Sequence, residues 1–108
     1  MTAPRIVRGA PLELRQSIAH LLPPNKTNSI EVQYDLPNRE HKTHQHPTDE
    51  TLLIVEGEIT FHWGDEQSTC RPGDRLLLPV GTPHSSVAGD AGCLYLIAQS
   101  IVTDERSA

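Results

Sequence analysis

An all-β fold, a sandwich or a barrel, is the class this sequence predicts, and two observations carry that reading. Most segments are short, alternating and strand-like. Turn signals punctuate them closely, at Leu36-Pro37-Asn38, Gly64-Asp65, Pro72-Gly73-Asp74 and Val80 to Pro83. Such a rhythm fits an antiparallel sandwich or barrel.

The elements follow in order. Leu14, Ile18, Leu21 and Leu22 share one helical face, Pro11 suits a helix start and Pro23-Pro24 a stop. The N-terminal segment, residues 1–28, is therefore expected to form a short helix, or else an extended arm pairing with the barrel edge. Ser29 to Asp35 alternates, with Ile30, Val32 and Tyr34 on one side and Glu31, Gln33 and Asp35 on the other, as in a half-buried strand. His41 to His46 runs into Pro47, and a residue before proline favours extended geometry, so His46 is expected on the strand. Thr51 to Glu56 and Glu58 to Trp63 flank Gly57, followed by Glu66 to Arg71 and Arg75 to Pro79. The last strand is expected over Cys93 to Ile101. The barrel then spans 29–102, with a C-terminal tail at 103–108.

Composition narrows the function classes. A chain of 108 residues fits one domain with one modest core. Its formal net charge is -5 and its nine Lys and Arg are scattered, which argues against a nucleic-acid-binding surface. No apolar segment approaches membrane-spanning length, and residues 1–8 lack the apolar stretch of a secretory signal. The expected setting is cytoplasmic, with no membrane partner. Cys70 and Cys93 are expected there as free thiols filling apolar positions rather than as a disulfide framework.

The chemistry concentrates in His44-Gln45-His46-Pro47-Thr48-Asp49-Glu50 and in a distant His84. Side chains two apart on a strand share a face, so His44 and His46 can aim at one centre. A tight turn over Pro47 to Asp49 would return Glu50 beside them. Three imidazole nitrogens and one carboxylate oxygen suit one divalent transition metal ion: iron, manganese, nickel, cobalt or zinc.

At these residues the sequence resembles the cupin superfamily, in particular its small single-domain members. The first family signature, HxHxxxE with a later Gly, matches His44, His46, Glu50 and Gly57. The second, GxxxxxPxGxxH, matches Gly73, Pro79, Gly81 and His84. The resemblance covers the central part of the chain and departs at two positions. Asn38 stands where the family often has Gly, and Ala88 where it often has Asn. It implies a double-stranded β-helix, or jelly-roll, barrel with His44, His46, Glu50 and His84 as metal ligands. It also implies a small organic substrate or ligand, with a metal-dependent dioxygenase or related oxidoreductase as the leading activity. A metal-dependent lyase or isomerase needing no oxygen, and a non-catalytic sensor or binding module, are the alternatives on the same fold.

Other residues have assigned expectations. His41 is out of phase with His44 and is expected to face away, as is Gln45. Asp49 is expected to stabilise its turn. His62 either lines the pocket mouth or lies exposed, and His20 belongs to the N-terminal segment. Arg71 and Arg75 either attract an anionic substrate or form a solvated rim. Tyr34, Phe61, Trp63 and Tyr95 either shape a pocket or pack the core, and Leu52, Ile54, Leu76 and Leu78 are candidates for an apolar pocket wall. Leu52 to Val55, Leu76 to Leu78 and Leu94 to Ile97 are apolar on both faces. One face fills the barrel and the other needs a cover. The N-terminal segment is expected to supply part of it, and a second copy of the chain, in a homodimer, the rest.

Overall fold

The computed structural model describes residues 3–21 and 29–102. Leu22, Pro23, Pro24 and the 103–108 tail, for which helix and tail expectations were drawn, lie outside the described residues. Among the described residues, seven antiparallel strands and one helix follow in the order β1 (Arg5–Val7), α1 (Leu14–Leu21), β2 (Ile30–Asp35), β3 (Glu40–His44), β4 (Glu50–Trp63), β5 (Glu66–Cys70), β6 (Arg75–Leu78) and β7 (His84–Ala98). The strands run β1-β6-β4-β7-β2 along one sheet, with β5 on β4 and β3 on β7. The all-β jelly-roll class is therefore observed, and helix and arm are both present rather than alternatives.

Two long strands organise the molecule. The two runs expected on either side of Gly57 form one continuous strand, β4, which pairs with β6 at its start and with β5 at its end. Its register against β7 shifts between Ile54 and Glu56 and again between Gly57 and Ile59. Those irregularities let one strand bend from one layer into the other. Gly57 sits there at φ 76°, and a Cβ on it would overlap the Gly92 carbonyl oxygen. Only glycine fits that position without strain. The last strand likewise begins at His84, well before the expected Cys93.

The core lies between the layers. Leu52, Ile54, Ile59, Phe61, Leu76, Leu78 and Tyr95 pack together with Cys70, Ala88 and Cys93. Both cysteines are free and buried, and burial pushes each thiol up to about 12, so they pack as neutral apolar groups. The other face of the apolar strands is covered from within the chain. Leu21 packs against Leu53, Val55, Leu96 and Ala98, with Ile18 beside them. That removes the reason drawn from two-faced strands for requiring a second copy.

β2 corrects a second expectation. Its polar side turns inward: Asp35 is 0% exposed, whereas Val32 and Tyr34 are 57% and 51% exposed. The strand ends the sheet path and pairs only with β7, so its inner face looks onto a polar cavity rather than the apolar core. Asn38 stands just beyond β2 at φ 63°, a left-handed conformation that Asn tolerates better than most residues. The departure from the family's glycine is thus accommodated locally.

Candidate metal centre

Antiparallel pairing brings the distant histidines together. His44 closes β3 and His84 opens β7, and the two residues are direct cross-strand partners. Their ring centroids lie 4.4 Å apart. His46 lies beyond the end of β3 rather than on it, because Pro47 has no N–H to continue a ladder. Instead the His46 carbonyl accepts the Gly81 N–H at 2.9 Å. Its ring stands 4.7 Å from that of His44 and 5.2 Å from that of His84. Asp49, expected to stabilise its own turn, instead ties it to the turn after β6, its carboxylate accepting the Val80 N–H at 2.7 Å.

One donor nitrogen from each of His44, His46 and His84 lies within 4.8 Å of the other two. Nitrogens bound about 2.1 Å from one ion stand at most about 4.2 Å apart. The three imidazoles therefore need only a small closure to share a cation. Their hydrogen bonding suits the task. His44 donates its Nδ1–H to the Lys42 carbonyl at 2.6 Å, and His84 donates its Nδ1–H to the Thr82 carbonyl at 2.9 Å. Each bond fixes the ring and leaves the Nε2 lone pair available to a metal. Burial also lowers the pKa of His84, outweighing the opposing Thr82 carbonyl. Burial and the neighbouring His44 lower that of His46. Both favour the neutral imidazole that a metal requires.

Glu50 opens β4 in the same cavity. Its Oε2 lies 3.5 Å from His46 Nδ1, and it stands outside the three-nitrogen cluster. Burial, reinforced by nearby Glu31, raises its pKa despite His44. Divalent charge would offset that cost.

The cavity encloses about 360 Å³. Leu52, Phe61 and Ile97 contribute apolar surface, while Glu31, Gln33, His41, Ser86, Tyr95 and Gln99 contribute polar groups. Of the expected apolar wall, Leu52 lines the cavity as well as packing in the core, whereas Ile54, Leu76 and Leu78 belong to the core alone. Phe61 and Tyr95 do both. Trp63 packs on the core and Tyr34 is exposed. Neither arginine faces the cavity. Arg71 pairs with Glu58 at 3.5 Å, and buried Arg75 donates to the Val102 carbonyl at 3.0 Å. His62 lines a neighbouring depression with Lys42 and Ser85, and His20 lies in the last turn of α1.

His41 does not face away. It lines the cavity because the β3–β7 register shifts between His41 and His44, resetting the strand phase that simple alternation assumes. Its Nε2–H donates to both oxygens of Asp35 at 3.0 Å. Gln33 Nε2 and the Tyr95 hydroxyl donate to the same carboxylate, each at 3.0 Å. Sequence reasoning missed this group. Its one trace was the run of polar side chains Glu31, Gln33 and Asp35 on a single strand face.

A family model described as Cupin domain matches residues 32–97. Among curated proteins no relative matches this sequence. Several solved structures share the fold. A cupin-2 domain containing protein from Shewanella frigidimarina is 22% identical, with a TM-score of 0.58 over 66% of this chain and 68% of that one. A protein from Neisseria meningitidis is 22% identical, with a TM-score of 0.60 over 84% of this chain and 100% of that one. The DMSP lyase DddQ from Ruegeria pomeroyi is 28% identical, with a TM-score of 0.61 over 76% of this chain. The chain spans 42% of that lyase.

Proposed function

Because the chain belongs to the cupin family, we propose that it is a divalent-metal-dependent enzyme acting on a small polar organic molecule. One observation carries the reading: the three donor nitrogens of His44, His46 and His84 gather within 4.8 Å. Glu50 supplies the fourth ligand from the same cavity. This donor set suits iron, manganese, nickel, cobalt or zinc. When bound, such an ion supplies Lewis-acid chemistry, polarising an oxygen of a chelating substrate. The residues do the rest. The Lys42 and Thr82 carbonyls hold the His44 and His84 rings in register, and Leu52, Phe61 and Ile97 keep water from one side of the substrate.

The reaction class is redox-neutral, a lyase or isomerase, a reading supported by the predominantly polar cavity and by the likeness to the DMSP lyase. A dioxygenase, the leading expectation from sequence, is the second reading, favoured by the apolar patch of Leu52, Phe61 and Ile97. A non-catalytic sensor would bind ligands without forming product. Association of two chains through the exposed Val32, Tyr34 and Leu36 belongs to the same proposal, as does a cytoplasmic setting. A monomeric mass in light scattering contradicts that association. Among the described residues no helix is long and apolar enough to cross a membrane.

The decisive experiment combines metal replacement with oxygen measurement. Zinc-, manganese- and iron-loaded protein is offered a panel of small hydroxy, keto and onium acids, with product and oxygen uptake recorded together. The redox-neutral reading expects turnover with zinc and without oxygen. Turnover confined to the iron or manganese forms, with oxygen consumed, replaces it with the dioxygenase. Metal content is read in parallel: His84→Ala loses zinc and His41→Ala keeps it. Equal zinc content in both variants overturns the ligand assignment.

A further inference from the structure

The cavity has a second built wall, opposite in chemistry to a metal site. Asp35 is fully buried and accepts hydrogen bonds from Gln33, His41 and Tyr95. A carboxylate only accepts, so each of these three must spend a donor on it. Burial pushes the Asp35 pKa up, but the hydrogen bonds from Gln33, His41 and Tyr95 outweigh it and hold the group below its ordinary value. The anion therefore fixes the polarity of its neighbours. With Nε2–H committed, the neutral form of His41 has only Nδ1 left, as a lone-pair acceptor. Tyr95, its only O–H committed, keeps oxygen lone pairs. Gln33 retains its carbonyl and one N–H. Glu31, on the same strand face, adds a carboxylate that only accepts. Ser86 and Gln99 are neutral and ambivalent, and among the described residues no Arg or Lys lines the cavity.

From this polarity we propose that Glu31, Gln33, His41 and Tyr95, fixed by Asp35, form a second subsite for a hydrogen-bond-donor group of the ligand, an ammonium or a hydroxyl. The ligand class is then a small molecule with chelating oxygens at one end and a donor group, not a carboxylate or phosphate, at the other. This deepens the proposed function and rests on it in taking this cavity as the ligand site. Charged-donor hydrogen bonds are the stronger kind, so an ammonium tail is held best.

The test uses hydroxamates that share one chelating head and differ in the tail: β-alanine hydroxamate, 3-hydroxypropanohydroxamate and the monohydroxamate of succinate. Calorimetry on the zinc-loaded protein is expected to rank them ammonium, hydroxyl, carboxylate, with about tenfold or more between the extremes. Glu31 is exposed, so its substitution leaves the fold unthreatened. Glu31→Gln is expected to shrink the ammonium advantage and Glu31→Lys to reverse it. Asp35→Asn, if it folds, levels the three tails. A preference for the carboxylate tail in the unmodified protein, or tail affinities unmoved by Glu31→Lys, overturns the subsite. Zinc alone, titrated in each variant, reports the metal centre separately. Should zinc fail to bind, the metal reading falls. The subsite is then decided by ethanolamine against propionate on the metal-free protein, followed by NMR at the Gln33 amide. Saturation by ethanolamine alone supports it, and any other result overturns it.

Discussion

Asp35 shows how one buried carboxylate can set the chemistry of a cavity wall and the acid stability of the protein together. Its three donors hold it ionised in the folded state at pH values where the unfolded chain already binds a proton. The sign follows. Unfolded Asp titrates at about 4, so the contribution of Asp35 is fully present above that pH and is lost as the pH falls through the lower folded value. Urea denaturation across a pH series is expected to show this decline in the unmodified protein and a shallower one in Asp35→Asn. At neutral pH the same change is expected to cost about 1–3 kcal/mol, since Asn cannot accept all three donors. Equal slopes in the two proteins would mean that Asp35 is not held ionised. The candidate metal ligands were easier to read than this network. His44, His46, Glu50 and His84 carry a spacing that names their chemistry, whereas Asp35 and His41 depend on a register shift between His41 and His44 that no alternation rule reveals.

Among the elements, α1 and β2 show why hydrophobic pattern located segments better than it oriented them. Ile30, Val32 and Tyr34 alternate as a core-facing stripe should, yet Glu31, Gln33 and Asp35 face inward because the interior at that place is a polar cavity. Pattern reports which residues share a face, not what that face meets. For α1 the pattern and the packing agree at Ile18 and Leu21 but not at Leu14. Leu21 is 1% exposed and seals the outer layer against Leu53 and Leu96, while Leu14, at the start of the helix, is 40% exposed. Leu21→Ala is expected to cost about 3 kcal/mol, and Leu14→Ala about 0.5 kcal/mol or less. Chemical denaturation of the two variants measures the difference directly. Similar small losses in both would mean that the helix does not seal the second face of β4 and β7, and the cover would then have to come from another chain.

At the scale of the molecule, the barrel is built by sequence-distant pairings, and those same pairings bring together the residues of the candidate metal centre. β3 meets β7 through His44 and His84, and β4 meets β6 through Glu50 and Leu78. His44, His46 and His84 gather, with Glu50 in the same cavity, only when the long-range register is correct. Unfolding separates them, so a metal binds the folded state far better than the unfolded one and must stabilise it. Free metal at about a hundred times its dissociation constant adds about 2.7 kcal/mol. In a domain of this size that raises Tm by about 10 °C. Stripping the protein with a chelator and restoring zinc is therefore expected to lower and then recover Tm by that amount. His84→Ala should abolish the recovery, because it removes one of the three clustered nitrogens and leaves β3 and β7 their backbone pairing. His41→Ala should keep it, since His41 serves Asp35 and not the ion. A shift that survives His84→Ala would place the stabilising ion elsewhere on the molecule, and the convergence of β3, β4 and β7 would then need a reason other than metal binding.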